Sequence, residues 1–182
     1  MKTIYLATNN HYKLEEVREI ARPFKIEIEG YPCDIRELQT LNTTQLIRHK
    51  ILEAFKLLGL PVIVDHASLQ IDSMNGMPGT LTQLFWDNLN YKLCDIVNAL
   101  GNPKAKAVCT VGYCDGKKIF HEEKIKEGTI SGRPLGKRDF QWDTIFIPDG
   151  ETRTYAEMEI SEKNAISQRK LAFESLFEKL NL

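Results

Sequence analysis

Thr3-Ile-Tyr-Leu-Ala-Thr-Asn-Asn-His-Tyr-Lys-Leu-Glu-Glu-Val17 is the stretch that decides the fold class. Residues 3–7 read as a short buried strand, and Thr8-Asn9-Asn10 breaks it. Residues 13–21 then read as a helix, with Leu14, Val17 and Ile20 on one face. Pro23 closes that helix, and residues 25–29 alternate polar and apolar as a half-buried strand does. Strand, polar turn, amphipathic helix and strand again is the opening of an α/β chain. The turn itself has a chemistry. Backbone N–H groups at a helix start attract anions, Lys13 adds a point charge and Thr8 a hydroxyl. No glycine-rich loop accompanies it, so it is neither a Walker motif nor a dinucleotide fingerprint.

Outward from there the pattern continues. Residues 31–41 are irregular. Thr43 or Thr44 can cap a long helix ending near Gly59, with Leu46, Ile47, Ile51, Ala54, Phe55 and Leu58 as its stripe. Pro61-Val-Ile-Val-Asp65 reads as a buried strand ending in an acid, and Leu69-Gln-Ile-Asp72 as a second, shorter one. Gly76-Met-Pro-Gly79 is a turn that can lead into a helix, and residues 91–100 are helical. Residues 106–114 and 117–124 read as a hairpin about a two-residue Asp115-Gly116 turn of type I′. Residues 128–140 read as a loop and 144–147 as a strand. Ser161 starts the last helix, with Ala165, Ile166, Leu171, Ala172, Leu176 and Leu180 as its buried face. The sum is an α/β protein with a mixed sheet, in a single domain over residues 1–182.

Composition narrows the function classes. With 182 residues, 42% hydrophobic and 27% charged, the chain can bury a sizeable core. Lys+Arg of 24 against Asp+Glu of 25 gives a net charge of −1, no basis for a nucleic-acid backbone binder. A local basic pocket for a small polyanion stays open. No apolar run approaches the ~20 residues of a membrane helix, and the first ten residues turn polar too soon for a signal peptide. Cys33, Cys94, Cys109 and Cys114 form no Cys-x-x-Cys pair, so the expectation is reduced thiols in a cytoplasmic protein with no membrane partner.

Three further constellations can carry chemistry. Asp65-His66-Ala67-Ser68 follows a buried strand, and an acid beside a histidine can be an acid–base pair or part of a metal site. The alternative is a polar loop with a capping Asp. Arg133-Pro-Leu-Gly-Lys-Arg-Asp-Phe140-Gln141-Trp142-Asp143 sets cations before two aromatics and an acid, where aromatics can sandwich a base and Asp and Gln read its edge. The alternative is a solvated basic loop beside two core aromatics. Lys163 and Arg169 flank a helix start and can face phosphate or base oxygens. The alternative is a charged helix capped by Ser161 or Asn164. Lys13 and Lys163 are both read as exposed lysines at helix starts, contributing little to stability.

These segments, in this order, resemble the inosine triphosphate pyrophosphatase family, which hydrolyses non-standard purine nucleoside triphosphates. The residues that carry the resemblance are Ala7-Thr-Asn-Asn-His-Tyr-Lys13-Leu-Glu-Glu-Val17, Asn75-Gly-Met-Pro-Gly79, Ser131-Gly-Arg-Pro and Asp139-Phe-Gln-Trp-Asp143. Pro148-Asp-Gly150, Thr154-Tyr-Ala-Glu-Met158 and Glu162-Lys-Asn-Ala-Ile-Ser-Gln-Arg169 complete it. The resemblance implies an elongated α/β structure, a twisted mixed sheet flanked by helices in two lobes about a central nucleotide cleft. It also implies a homodimer. It assigns Thr8, Asn9, Asn10 and Lys13 to the triphosphate, and Phe140, Gln141, Trp142, Asp143, Lys163, Gln168 and Arg169 to nucleotide binding, Arg169 helping to read a 6-keto purine. Ser68 joins the nucleotide-binding set.

The hydrolytic residues depart from the family pattern. Two adjacent acids are expected where Asp65-His66 stand, the second holding magnesium and activating water. The aligned position of a metal-binding glutamate falls on Leu41, with Glu37 four residues too early unless a loop shift returns it. Gln141 replaces a glycine and Gln168 a histidine. Losing the base costs on the order of 10²–10⁴ in rate. The leading expectation is therefore a catalytically degenerate ITP or dITP binder, with Asp65 and His66 at the former catalytic positions. No metal ligand is assigned beyond Asp65, and magnesium would arrive with the triphosphate. Such a protein would be a sensor or regulatory subunit, in a bacterial antiphage defence setting with a separate NAD-consuming effector protein. The alternative is an active magnesium-dependent pyrophosphatase with a rearranged site using Asp65, Glu37 or Asp72. Leu81, Leu84, Phe85 and Trp86 are the expected subunit-contact face.

Overall fold

The computed structural model describes residues 2–180, without the side chains of Lys2, Arg138, Asp139 and Phe140. Strand β1 (Lys2–Ala7) enters helix α1 (His11–Ala21), whose N-cap Asn10 accepts a hydrogen bond from the Lys13 N–H. β2 (Ile26–Tyr31) and α2 (Thr43–Leu58) follow, then β3 (Val62–Ile71), β4 (Pro78–Gly79), α3 (Thr82–Leu89) and α4 (Lys92–Leu100). β5 (Lys104–Cys114), β6 (Ile119–Ile130), β7 (Phe146–Pro148), α5 (Ile160–Ile166) and α6 (Gln168–Lys179) complete the order. The strands form one mixed sheet in the order β2-β1-β3-β5-β6-β7, with β4 pairing β3. β1 runs parallel to β2 and to β3, while β3–β4 and β6–β7 are antiparallel. The expected mixed-sheet α/β architecture with flanking helices is the one observed.

The chain divides into two compact units, each discontinuous in sequence. The first comprises Met1–His66, Cys109–Lys124 and Arg169–Leu182, and the second Ala67–Val108 and Ile125–Gln168. In the first unit, strand alternation sorts the core onto two faces. Ile4, Leu6, Ile63, Val111 and Tyr113 pack with Val17 and Ile20 of α1 and with Phe173 and Phe177 of α6. Ala7, Val62, Val64 and Cys114 pack with Ile47, Ile51 and Ala54 of α2. Gly112 lets α2 approach β5, because a Cβ there would sit 2.2 Å from Ile51 Cδ1. The second unit has its own core, built on Leu69, Ile71, Trp86, Leu93, Val97, Trp142, Phe146 and Tyr155.

Several local expectations change. The two short strands on either side of Asp65-His66 are one ten-residue strand, because Asp65 and His66 are themselves buried and paired by side chains of other elements. The cap of α2 is Asn42, whose side chain accepts from the Gln45 N–H, not Thr43 or Thr44. The hairpin turn is longer than two residues. Asp115 caps it by accepting from the Lys117 and Lys118 N–H groups, and Gly116 alone has positive φ (+85°), so it is not type I′. Gly128 lies within β6 rather than in a loop. The last helix is two helices, broken at Ser167 (ψ 150°), and α5 is capped by Glu159 and Glu162 rather than by Ser161 or Asn164. Accordingly Phe173 and Phe177 are buried while Leu171 is 39% exposed. Trp86 belongs to the core of the second unit, leaving Leu84 as an exposed residue of the expected contact face.

Candidate functional site

Asp65 and His66 are neighbours in an extended strand, so their side chains leave on opposite faces of the sheet. They are not an acid–base pair. Asp65 shares the parity of Ile63 and so faces α1 and α6. There the Lys13 ammonium lies 3.2 Å from its carboxylate and Arg169 Nε 3.5 Å away. Arg169 also pairs with Glu16 of α1. Burial pushes the Asp65 carboxyl up, but Lys13, Arg169 and Lys50 outweigh it and hold the group well below the usual range.

His66 shares the parity of Val62 and Val64 and so faces the α2 side. Its Nδ1 lies 3.6 Å from Glu37 Oε2. The other Glu37 oxygen takes the Lys50 ammonium at 2.5 Å, and Lys50 donates as well to the Asp65 carbonyl at 2.8 Å. Burial raises the Glu37 carboxyl, yet the contacts with His66 and Lys50 bring it down to about 2. The loop of residues 32–42 therefore returns Glu37 to the site, whereas Leu41 is 62% exposed. The loop shift that would return Glu37 is the arrangement observed, because an irregular loop need not advance one site position per residue. Lys50 and Glu16 were missed. Their one sequence signal is a charge at the edge of an apolar helical stripe. Asp72 is exposed in the short turn after β3 and belongs to the second unit.

The opening motif is largely occupied by its own turn. Asn10 caps α1, the Thr8 hydroxyl accepts from the Asn10 N–H, and Asn9 donates to the Cys33 carbonyl at 2.9 Å. Lys13, with a side chain 25% exposed, is the cation of this cluster nearest solvent.

In the second unit, Asp143 accepts from Lys163 at 2.5 Å, and the Lys163 ammonium stands 5.7 Å from the Tyr155 ring centre. Lys163 is thus a buried, ion-paired residue in the last turn of α5, not an exposed lysine at a helix start. Gln168 Oε1 accepts from the Tyr155 hydroxyl at 3.0 Å. Trp142 is buried edge-on against Phe146. Gln141 adopts φ +51°, a left-handed conformation that favours the glycine it replaces. Ser68 is buried in β3. The expectation for Phe140 concerns a side chain outside the described residues.

Among the described residues no three His, Cys, Asp or Glu side chains converge as ligands. Asp65 is engaged by Lys13 and Arg169, and Glu37 by Lys50 and faces His66.

The fold and this cluster define a class, the mixed-sheet α/β proteins with buried cations and acids gathered where a strand meets two helices. Comparison with known proteins narrows it. The Ham1 family pattern matches residues 4–179, and the chain belongs to the Ham1 family. It is 34% identical to a dITP/XTP pyrophosphatase of Methanopyrus kandleri, over 98% of this chain and 95% of that one. It is also 34% identical to an inosine triphosphate pyrophosphatase of Yarrowia lipolytica, over 96% and 93%. Among solved structures, a HAM1 protein from Coxiella burnetii superposes with a TM-score of 0.83 at 29% identity, covering 100% of this chain and 99% of that one. No helix among the described residues is long and apolar enough to cross a membrane.

Proposed function

We propose that this chain is a nucleoside triphosphate pyrophosphatase acting on ITP, dITP and XTP, yielding the monophosphate and pyrophosphate. The observation that carries the reading is the return of Glu37 to His66 and Lys50, which restores an acid to a site that the alignment left with Leu41. The relatives named as pyrophosphatases support it. In this reading Lys13 faces phosphate oxygens, and Trp142, Asp143 and Lys163 serve the base. Magnesium enters with the triphosphate, whose oxygens it commonly shares with one or two carboxylates. The protein works in the cytoplasm as a homodimer.

The second reading is the degenerate nucleotide sensor with an effector partner. It is favoured by one observation, the imidazole of His66 where the family pattern has an acid. One experiment separates the two. dITP, ITP, XTP, ATP and GTP are titrated with product analysis in the same tubes. Pyrophosphate release from dITP, ITP and XTP, with ATP and GTP slower, supports the enzyme. Tight dITP binding with no release above a protein-free control supports the sensor.

A further inference from the structure

We propose that the β2 edge of the sheet is closed to a second copy of this chain by two guards. Arg18 caps its central outward carbonyl, and Glu27 and Glu29 repel the same acids of the copy. β2 stands at the end of the strand order, and among the described residues it pairs with β1 alone. A sheet edge presents unpaired N–H and C=O groups that can template pairing with another chain. Register shows which groups these are. Tyr31 is the partner of Ala7, and the Thr8 N–H donates to the Tyr31 carbonyl at 3.2 Å. In a parallel ladder alternate residues turn their backbone groups toward the neighbour. Tyr31, Glu29 and Glu27 therefore bond to β1, and the groups of Gly30, Ile28 and Ile26 point out of the sheet. Ile28 is the middle one, and its carbonyl is taken: Arg18 Nε of α1 donates to it at 3.1 Å. Glu15, one turn earlier in α1, holds the guanidinium at 3.0 Å.

The side chains supply the second guard. Ile26 and Ile28 are buried, while Glu27 and Glu29 alternate with them and are exposed. Two copies that pair by the same edge are related by a twofold, so their strands run antiparallel and residue i meets j as j meets i. The registers that join at least two outward pairs within β2 centre on Glu27, Ile28 or Glu29. They set Glu27 against Glu27, Glu27 against Glu29, and Glu29 against Glu29 respectively. Like charges directly opposite destabilise a strand pair. Each of these registers also needs the Ile28 carbonyl as an acceptor, and Arg18 occupies it. The two guards therefore bar the same set of pairings by different means, one through the backbone and one through charge.

The test follows sedimentation and amide hydrogen exchange over a concentration series, in the wild type and in the double variant Arg18→Met with Glu29→Thr. Methionine keeps an unbranched stem without a donor, and threonine suits a strand without charge. With Glu29 replaced, the registers centred on residues 28 and 29 no longer oppose two acids. In the wild type the outward Ile28 and Gly30 amides should exchange fast at every concentration, and those of Glu29 and Tyr31 slowly. The double variant should exceed the wild-type mass by more as concentration rises, with its Ile28 and Gly30 amides slowing by about tenfold or more. Each single variant should associate less than the double. Thermal melting checks folding, and should the double variant not fold, Arg18→Ala with Glu29→Thr carries the same test. A folded double variant that sediments as the wild type does at every concentration overturns the proposal. Association that leaves Ile28 and Gly30 exchanging fast also overturns it, since another surface would then be joining. So does wild-type protein whose Ile28 and Gly30 amides slow with concentration, because its edge would already be paired.

Discussion

The two faces of β3 solve different problems with similar residues. On the α1–α6 side, Asp65, Glu16 and Arg169 are all at least nine-tenths buried, and only Lys13 reaches toward solvent. On the α2 side, the Glu37 side chain is 33% exposed, and the Lys50 and His66 side chains beneath it are 11% and 5% exposed. The first face is a charge-balanced brace between two helices and a strand. The second is more open, a part-exposed acid lying over a lysine and a histidine. Adjacent residues in a strand cannot share a task that needs their side chains together, because the pleat separates them.

The contrast is most exposed to a stability test. Arg169→Leu removes the partner of two buried acids, and breaking such a group costs about 3–5 kcal/mol. Lys50→Leu leaves an acid that solvent can reach, so losing the two hydrogen bonds of Lys50, to Glu37 and to the Asp65 carbonyl, should cost less, about 2–3 kcal/mol. Urea midpoints of the two variants measure this directly. Equal losses would erase the distinction between a brace and a site.

Ligand binding tests whether the brace also touches substrate. Lys13→Ala should weaken dITP by about tenfold or more, the size of one charged contact, and leave inosine affinity unchanged. Equal weakening of both would remove Lys13 from phosphate recognition and make its face purely structural.

Acid sharpens the comparison further. Both carboxylates titrate below their unfolded values, so their pairing stabilises the fold at neutral pH and is lost as pH falls. For Glu37 the loss runs from its ordinary value of 4.5 down to about 2, and for Asp65 it extends lower still. Glu37→Gln should therefore flatten the decline of thermal stability over that window, leaving the lower-pH decline of the Asp65 face in place. An unchanged profile would mean that Glu37 is not held by Lys50 and His66 in solution. The smallest effect lies outside both faces. Gln141→Gly relieves a left-handed residue and should raise stability by about 0.5–1 kcal/mol, the strain being offset in part by glycine's greater unfolded-state entropy.

Periodicity made the elements legible. β1, α1, β2, α2 and α4 lie where their apolar spacing puts them, because each buries one stripe against a sheet and local pattern records that. The residue types of the site were legible too: Lys13, Asp65, His66, Asp143, Lys163 and Arg169 stand out as charge or imidazole among apolar neighbours. Their pairing was not. That Asp65 meets Lys13 and Arg169 depends on α1 and α6 sharing one face of the sheet, across 52 residues in one case. That Glu37 rather than Leu41 meets His66 depends on the path of a loop with no period to read. That Lys163 is buried on Asp143 depends on how α5 packs within the second unit. Sequence by itself determined the alternating α/β order and the family, because hydrophobic spacing and motif residues are local along the chain. The tertiary structure alone decided which acid answers which base, because ion pairs form through space between elements whose approach no local pattern encodes.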